Sequence, residues 1–129
     1  MRTTIGIAVS LLLGYVLGAD AIAATTPTSL EERLDELNYL VGDEVQLIVD
    51  FQIDERVYLD DRHVIVPDAS SRAYLLTLTE PCHNLRSKRV IALTRTRHQM
   101  APGDNLAPTY EGRRVDKCEV ERIHELNVK

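Results

Sequence analysis

Two cysteines, Cys82 and Cys118, are the residues whose chemistry the sequence constrains most. A redox-active thiol pair usually has Cys-x-x-Cys spacing, with the attacking sulfur at the start of a helix. These two cysteines are far apart along the chain, and in an oxidising compartment two thiols can pair in only one way. The spacing therefore favours a structural Cys82–Cys118 disulfide over a catalytic thiol pair.

Four histidines, His63, His83, His98 and His124, raise the question of a metal site. No two of them have the close, same-face spacing that zinc sites favour, and cationic residues surround two of them. A site built from His63 and His124 requires their strands to be neighbours. We therefore expect no metal and no other cofactor, and we interpret the histidines as separate surface or half-buried side chains.

Residues for nucleophilic or acid–base catalysis do not form a recognisable motif. The chain has no Gly-x-Ser-x-Gly sequence, and Ser70 and Ser71 lie in a predicted turn. The adjacent carboxylates of Asp60 and Asp61 are typical of a solvated turn. The loops that bind calcium or cradle phosphate are absent from the sequence. The sequence therefore predicts that the protein is not an enzyme.

Charge is distributed unevenly along the chain, although the net charge is only −5. Residues 28–61 have eleven acidic side chains against two basic ones, whereas residues 86–117 have eight basic side chains against three acidic ones. One explanation is that the two segments neutralise each other across the fold. The other is a basic face for an anionic partner, such as a lipid head group or an acidic glycan. That candidate anion-binding face comprises Arg86, Lys88, Arg89, Arg95, Arg97, Arg113, Arg114 and Lys117.

The N-terminal segment has the features of a secretory signal peptide over residues 1–23. Arg2 precedes an apolar run, and the Ala-Ile-Ala tripeptide that ends at Ala23 is a small-x-small cleavage site. The alternative, an uncleaved membrane anchor, needs about 20 apolar residues, and Asp20 interrupts the run before that length. We predict cleavage near Ala23, a periplasmic or secreted location, and contact with the membrane only through export.

The mature chain is expected to have a flexible tail at residues 24–28 and a single disulfide-stapled, β-rich domain at residues 29–129. Ser29 and Glu32 form a capping box, and leucines recur at helical spacing over residues 30–37. These features predict one amphipathic helix of about three turns that ends by Gly42.

Period-two alternation predicts a long strand over residues 45–53, with Ile48 on its wet face. Residues 57–59 and 63–66 flank an Asp-Asp turn and predict a hairpin. Residues 73–79 are almost all apolar, so we expect a central strand that is covered on both faces.

The C-terminal half predicts a strand at residues 89–94 and a final strand at residues 118–126 that bends near Arg122. Two prolines and two glycines predict a long exposed loop over residues 99–112, with at most a short strand at residues 105–107. The fold class that follows is α+β and mainly β. Its architecture is an antiparallel meander or a small open barrel, with the helix on one side or end.

A family resemblance rests on the Tyr-Leu-Leu-Thr-Leu run at residues 74–78, on Cys82 and Leu85, and on the Cys-x-Val-x-x-Ile pattern at residues 118–123. This combination resembles small secreted proteobacterial proteins classed only as a domain of unknown function, over about residues 45–126. Those proteins usually have a Trp before the hairpin, where this chain has Val57 and Tyr58. The resemblance implies export, a β-rich fold and the disulfide, but no reaction.

The leading functional hypothesis is a binding or interaction module of the cell envelope, whose partner is an anionic envelope component or another protein. Nucleic acid is excluded as a partner because the basic residues lack interleaved aromatic side chains for base stacking. The alternatives are a structural envelope protein without a soluble ligand and a cryptic metal-dependent hydrolase.

Overall fold

The structure is a computed structural model that describes residues 29–87, 89–114 and 116–129. The expected signal peptide and flexible tail lie outside these residues, as does Lys88 of the candidate anion-binding face. No helix within the described ranges is long and apolar enough to cross a membrane.

The N-terminal helix α1 spans Leu30–Glu36 and starts at the predicted cap, where the Ser29 hydroxyl oxygen accepts a hydrogen bond from the Glu32 N–H at 3.2 Å. The helix has two turns instead of three, because Asn38 takes a left-handed conformation (φ 69°) that redirects the chain into a strand. Gly42, the predicted limit of the helix, lies in that strand. A Cβ at Gly42 would lie 2.6 Å from the Asn127 side-chain nitrogen, so a larger residue there would have to displace the Asn127 amide.

In the described part of the chain, ten strands and one 3-10 turn follow α1. In chain order these are β1 (Tyr39–Val45), β2 (Ile48–Val49), the 3-10 turn (Ile53–Glu55), β3 (Val57–Asp60), β4 (His63–Pro67), β5 (Ala73–Leu78), β6 (Arg89–Leu93), β7 (Gln99–Met100), β8 (Asn105–Tyr110), β9 (Arg113–Arg114) and β10 (Cys118–Val128).

The main sheet is antiparallel throughout and has the strand order β3-β4-β5-β10-β8-β6. β1 pairs with the C-terminal part of β10, β9 pairs with β8, and β2 pairs with β7 in a separate small sheet. The sheet curls into a half-barrel, which confirms the predicted mainly-β α+β fold with an open antiparallel sheet.

The two faces of the sheet pack against different partners. The inner face carries the larger core, in which Val64, Leu76 and Ile123 of three neighbouring strands are fully buried. The outer face carries a smaller cluster in which Leu34 of α1 packs with Leu75 and residues of the adjacent strands. β5 contributes to both clusters and is flanked by β4 and β10, so the prediction of a central strand covered on both faces is confirmed.

The prediction of one continuous strand over residues 45–53 is wrong. β1 ends at Val45, β2 covers only two residues, and Asp50 has a left-handed φ of 56° that turns the chain towards β4. The break between β1 and β2 shifts the alternation by one residue. Ile48 is consequently fully buried instead of wet, whereas Leu47 is 44 % exposed.

The prediction of a long exposed loop over residues 99–112 is wrong, but the short strand predicted at residues 105–107 is confirmed as the first half of β8. β7 and the six-residue strand β8 occupy most of residues 99–112, and β8 pairs with β6 on one side and with β9 and β10 on the other. Pro108 does not disrupt the β6–β8 ladder. The Arg89 carbonyl faces Thr109, so the next pair, Val90 and Pro108, exchanges no main-chain hydrogen bonds and needs no N–H from the proline. The bend expected near Arg122 is confirmed as a register shift between Val120 and Arg122.

The predicted disulfide joins Cys82, which follows β5, to Cys118, the first residue of β10. The two Cα atoms are 5.8 Å apart, and both residues are buried in the inner core. The bond closes a sequence separation of 36 residues. In the chain-entropy model this restriction of the unfolded chain stabilises the fold by about 4 kcal/mol.

We predict that the Cys82→Ala, Cys118→Ala double variant loses about 4 kcal/mol of unfolding free energy, because its unfolded chain is no longer restricted. Urea denaturation of the wild type with and without reductant, and of the double variant, measures the loss. Reductant should have no effect on the double variant, which serves as the control. Equal stability of the oxidised wild type and the double variant would contradict the prediction.

Candidate functional site

The half-barrel leaves a gap between its two edge strands, β3 and β6. Residues 51–56 cross this gap. Phe51 forms an isolated β-bridge with Asp68 beyond the end of β4, and the chain then makes the 3-10 turn before it enters β3. Phe51 and Ile53 pack against the inner core from this segment. The crossing segment therefore covers the open side of the core.

Two arginines connect the edges at one place in the gap. The Arg56 guanidinium donates hydrogen bonds to the carbonyls of Ile53 and of Ser87, just before β6. Burial lowers the pKa of Arg56, and the nearby Asp54 carboxylate partly offsets this effect. Arg86 lies over the Tyr58 ring of β3, with its guanidinium carbon 4.4 Å from the ring centroid. These contacts hold β3 close to the segment that enters β6.

A groove runs beside β6, and we call it the edge groove. Its walls are β6 on one side and Phe51, Ile53 and Asp54 on the other, with Arg97 and His98 completing the lining; its volume is about 530 Å³. The apolar side chains come from the crossing segment and from β6, and the cations come from Arg89 and Arg97. The groove therefore combines an apolar surface with positive charge beside a sheet edge.

The Thr96–Gln99 turn places Arg97 and His98 at the groove. Thr96 and Gln99 form a β-bridge that closes a two-residue loop, and His98, the second residue of the loop, has the positive φ (61°) that is typical of that position in a type II turn. The His98 carbonyl accepts a hydrogen bond from the Asp50 N–H at 2.7 Å, which ties the loop to the crossing segment. The loop backbone is therefore fixed by its own β-bridge and by the hydrogen bond to Asp50, the residue that precedes the crossing segment.

The seven described residues of the candidate anion-binding face are distributed over several places in the fold. Arg89 and Arg97 line the edge groove, Arg86 stacks on Tyr58, and Arg95 binds Asp104. Arg113 and Arg114 are exposed on β9, Lys117 lies beside the disulfide, and Lys88 lies outside the described residues. The structure thus brings Arg89 and Arg97 together and gives Arg86 and Arg95 intramolecular partners.

The sequence did not predict the role of Arg56, which was one of only two basic residues in the acidic segment 28–61. It also placed Phe51 and Ile53 in a strand instead of in the gap. The apolar residues of the crossing segment were visible in the sequence, but their position depends on the left-handed turn at Asp50. No local pattern identifies that turn.

The histidines do not form a group. His63 lies on β4 and contacts the Asp60 carboxylate, with Nδ1 2.8 Å from one oxygen. His124 lies on β10, and β5 separates the two strands, so the adjacency that a joint metal site requires is not met. Within the described ranges, one cluster of three potential ligand side chains occurs, formed by Cys82, Cys118 and Asp116. The sulfurs of that cluster are bonded to each other and offer no thiolate.

Asp104 is a buried carboxylate that organises the chain between β6 and β8. It accepts hydrogen bonds from the Arg95 N–H and Nε and from the Ala101 N–H, at 2.8–3.2 Å. Its own carbonyl accepts from the Val120 N–H at 2.8 Å. Asp104 is 3 % exposed, whereas the Arg95 side chain is 73 % exposed. The carboxylate therefore serves mainly to satisfy main-chain donors.

We predict that Asp104→Ala lowers the unfolding free energy by about 1–3 kcal/mol, because two partly buried main-chain N–H groups lose their acceptor. Arg95→Ala should cost less, since its side chain is largely in solvent. Asp43→Ala, at an exposed position of β1, is the control and should stay within about 0.5 kcal/mol of wild type. Chemical denaturation measures all three, and an Asp104→Ala protein as stable as the control would contradict the role given to Asp104.

Comparison with known proteins identifies the family but no reaction. No curated protein and no solved structure matches the chain. The profile of a protein family described as a family of unknown function (DUF6491) matches residues 1–129, which confirms the resemblance based on the strand and cysteine motifs. The chain belongs to this family of unknown function, DUF6491.

Proposed function

We propose that the protein is an exported interaction module of the cell envelope that binds an anionic partner in the edge groove. The observation that supports this most directly is the joint presence of Arg89, Arg97 and an apolar wall in one groove. Concave sites that combine apolar surface with a few convergent polar groups are the usual form of binding sites. The disulfide is consistent with export, since such bonds persist in oxidising compartments.

The charge of the groove is available for a partner. Among the residues that the structure describes, the ion pairs use Arg95, Arg122, Lys129 and His63, and none uses Arg89 or Arg97. Both of these arginines are exposed. Unpaired cations beside a concave surface attract anions and accelerate their association. This favours an anionic partner over a neutral one.

The polar groups of the groove favour binding over catalysis. Thr94 is the hydroxyl residue in the lining, and its Oγ1 donates to the Thr96 carbonyl at 3.0 Å. Asp54 lies close enough to Arg56 to affect its pKa, so its charge also has a partner. Arginine and histidine side chains without a nearby free nucleophile can orient an anion, and we propose no reaction at this site.

We predict that the Arg89→Glu, Arg97→Glu double variant binds fluorescein-labelled poly-L-glutamate about 10- to 100-fold more weakly than wild type. Each reversal replaces an attraction with a repulsion, and exposed charge pairs contribute up to about 1 kcal/mol each. Fluorescence anisotropy at low and at physiological salt measures the affinity, and wild-type binding should weaken with salt.

The control is the Arg113→Glu, Lys117→Glu double variant, which changes the net charge equally at exposed positions outside the groove, and neither residue takes part in an ion pair of the described residues. It should bind the probe nearly as well as wild type. Arg95 is not used, because its side chain binds Asp104 and its reversal would place two carboxylates together. Equal weakening in both double variants would mean that total charge, and not the groove, determines binding.

A further inference from the structure

We infer that the partner of the edge groove is an extended acidic peptide that pairs with β6 as an additional strand. This inference rests on the proposed function, because it specifies the class of anion that the groove binds. Three observations support it. They are the direction of the β6 main-chain groups, the difference in hydrogen bonding between the two sheet edges, and the alternation of side chains along β6.

The main-chain groups of Val90 and Ala92 point away from the sheet. On the opposite strand, the Thr109 hydroxyl donates to the Arg89 carbonyl at 3.1 Å, so that carbonyl faces β8. The next residue, Val90, lies opposite Pro108, which has no N–H to donate. Because N–H and C=O groups alternate in direction along a strand, Val90 and Ala92 present theirs to the free edge.

The other edge of the sheet is covered. Arg33 of α1 donates hydrogen bonds to the carbonyls of Leu59 at 3.1 Å and of Tyr58 at 3.4 Å, both on β3. By contrast, no hydrogen bond from the described residues reaches the main chain of Val90 or Ala92 outside the β6–β8 ladder. Proteins usually block sheet edges, because a free edge pairs readily with an added strand. β6 is thus the edge whose outward main-chain groups have no hydrogen-bond partner among the described residues, while the crossing segment packs beside it without pairing.

The side chains of β6 suit a peptide in which acidic and apolar residues alternate. Val90 is buried in the inner core and Ala92 packs against it, on the side where Ile53 lies. Arg89 and Ile91 are exposed at the alternate positions of the strand and also line the edge groove. Successive residues of an added strand would point to the two faces of the sheet in turn. Apolar residues would then contact the crossing segment, and acidic residues would meet the cationic side chain of Arg89.

Charge argues against a second copy of the chain as the occupant. Pairing two β6 strands edge to edge would bring two sets of exposed cations together at one interface, and like charges in close juxtaposition oppose association. An acidic peptide would instead neutralise Arg89 and Arg97, and its main chain would add hydrogen bonds to Val90 and Ala92. Strand addition with side-chain selection of this kind is a recurrent mode of peptide recognition.

The experiment uses three peptides of alternating Glu and Val, each long enough to span the five residues of β6. The first is unmodified, the second is N-methylated at every Val, and the third is N-methylated at every Glu. All three have the same charge. Because the N–H groups of alternate residues point to opposite sides of a strand, only one methylated peptide places its methyl groups against β6. We expect that peptide to bind at least about tenfold more weakly and the other to bind like the unmodified peptide.

A second measurement addresses the protein side of the pairing. Ala92→Pro removes one outward N–H without removing a hydrogen bond to β8. It should lower the affinity for the unmodified peptide at least about tenfold. Bound peptide should also slow hydrogen exchange at the Val90 and Ala92 amides in the wild-type protein. Circular dichroism and urea denaturation establish that the Ala92→Pro protein is folded; if it is not, the peptide series and the exchange data still decide.

The outcomes separate this inference from the proposed function. Both methylated peptides could bind as well as the unmodified one, with the Arg89→Glu, Arg97→Glu double variant still binding all three peptides more weakly than wild type. Strand pairing would then be wrong, and the proposal of anion binding in the groove would stand. Binding of phosphatidylglycerol vesicles without binding of any peptide also overturns strand pairing. A dimer that Ala92→Pro dissociates in sedimentation, with no peptide binding, would show that a second copy occupies the edge. If neither the peptides nor poly-L-glutamate bind, the proposed function falls as well.

Discussion

An antiparallel sheet that curls without closing leaves main-chain N–H and C=O groups at two edges, and the rest of this structure depends on how those groups are satisfied. At β3, Arg33 of α1 donates to two edge carbonyls. In the gap, residues 51–56 cover the open side of the core, and Arg56 connects them to the Ser87 carbonyl. At β6 the edge lies along a groove lined by cationic and apolar side chains. The two edges are therefore chemically different.

The disulfide and β10 hold the two halves of the curl together. Strands β3, β4 and β5 form one half, strands β8 and β6 form the other, and β10 pairs with both. Cys82 follows the first half, and Cys118 starts the strand that joins it to the second. The covalent bond thus fixes the segment that follows β5 to the start of β10, next to the point where these two strands pair.

The proposed binding mode uses the open edge in three ways. Main-chain groups of β6 supply hydrogen bonds, Phe51 and Ile53 supply apolar surface, and Arg89 with Arg97 supplies charge. Hydrogen bonds to a sheet edge provide affinity for any extended chain, whereas side-chain contacts provide the selection for acidic residues. The exposed arginines also discourage self-association at the edge. Arg89 and Arg97 would then both select acidic peptides and oppose the pairing of two β6 edges.

Local spacing was sufficient for the features that depend on neighbouring residues or on composition. The Ser29 cap, the burial of β5, the bend near Arg122 and the single possible cysteine pairing were all predictable in this way, since each follows from residue type and short-range periodicity. Tertiary structure alone decided the break at Asp50, the burial of Ile48 and the extension of β8 from the predicted residues 105–107 to Tyr110. It also decided which cations lie together, because strand register and edge position depend on pairing between residues that are distant along the chain.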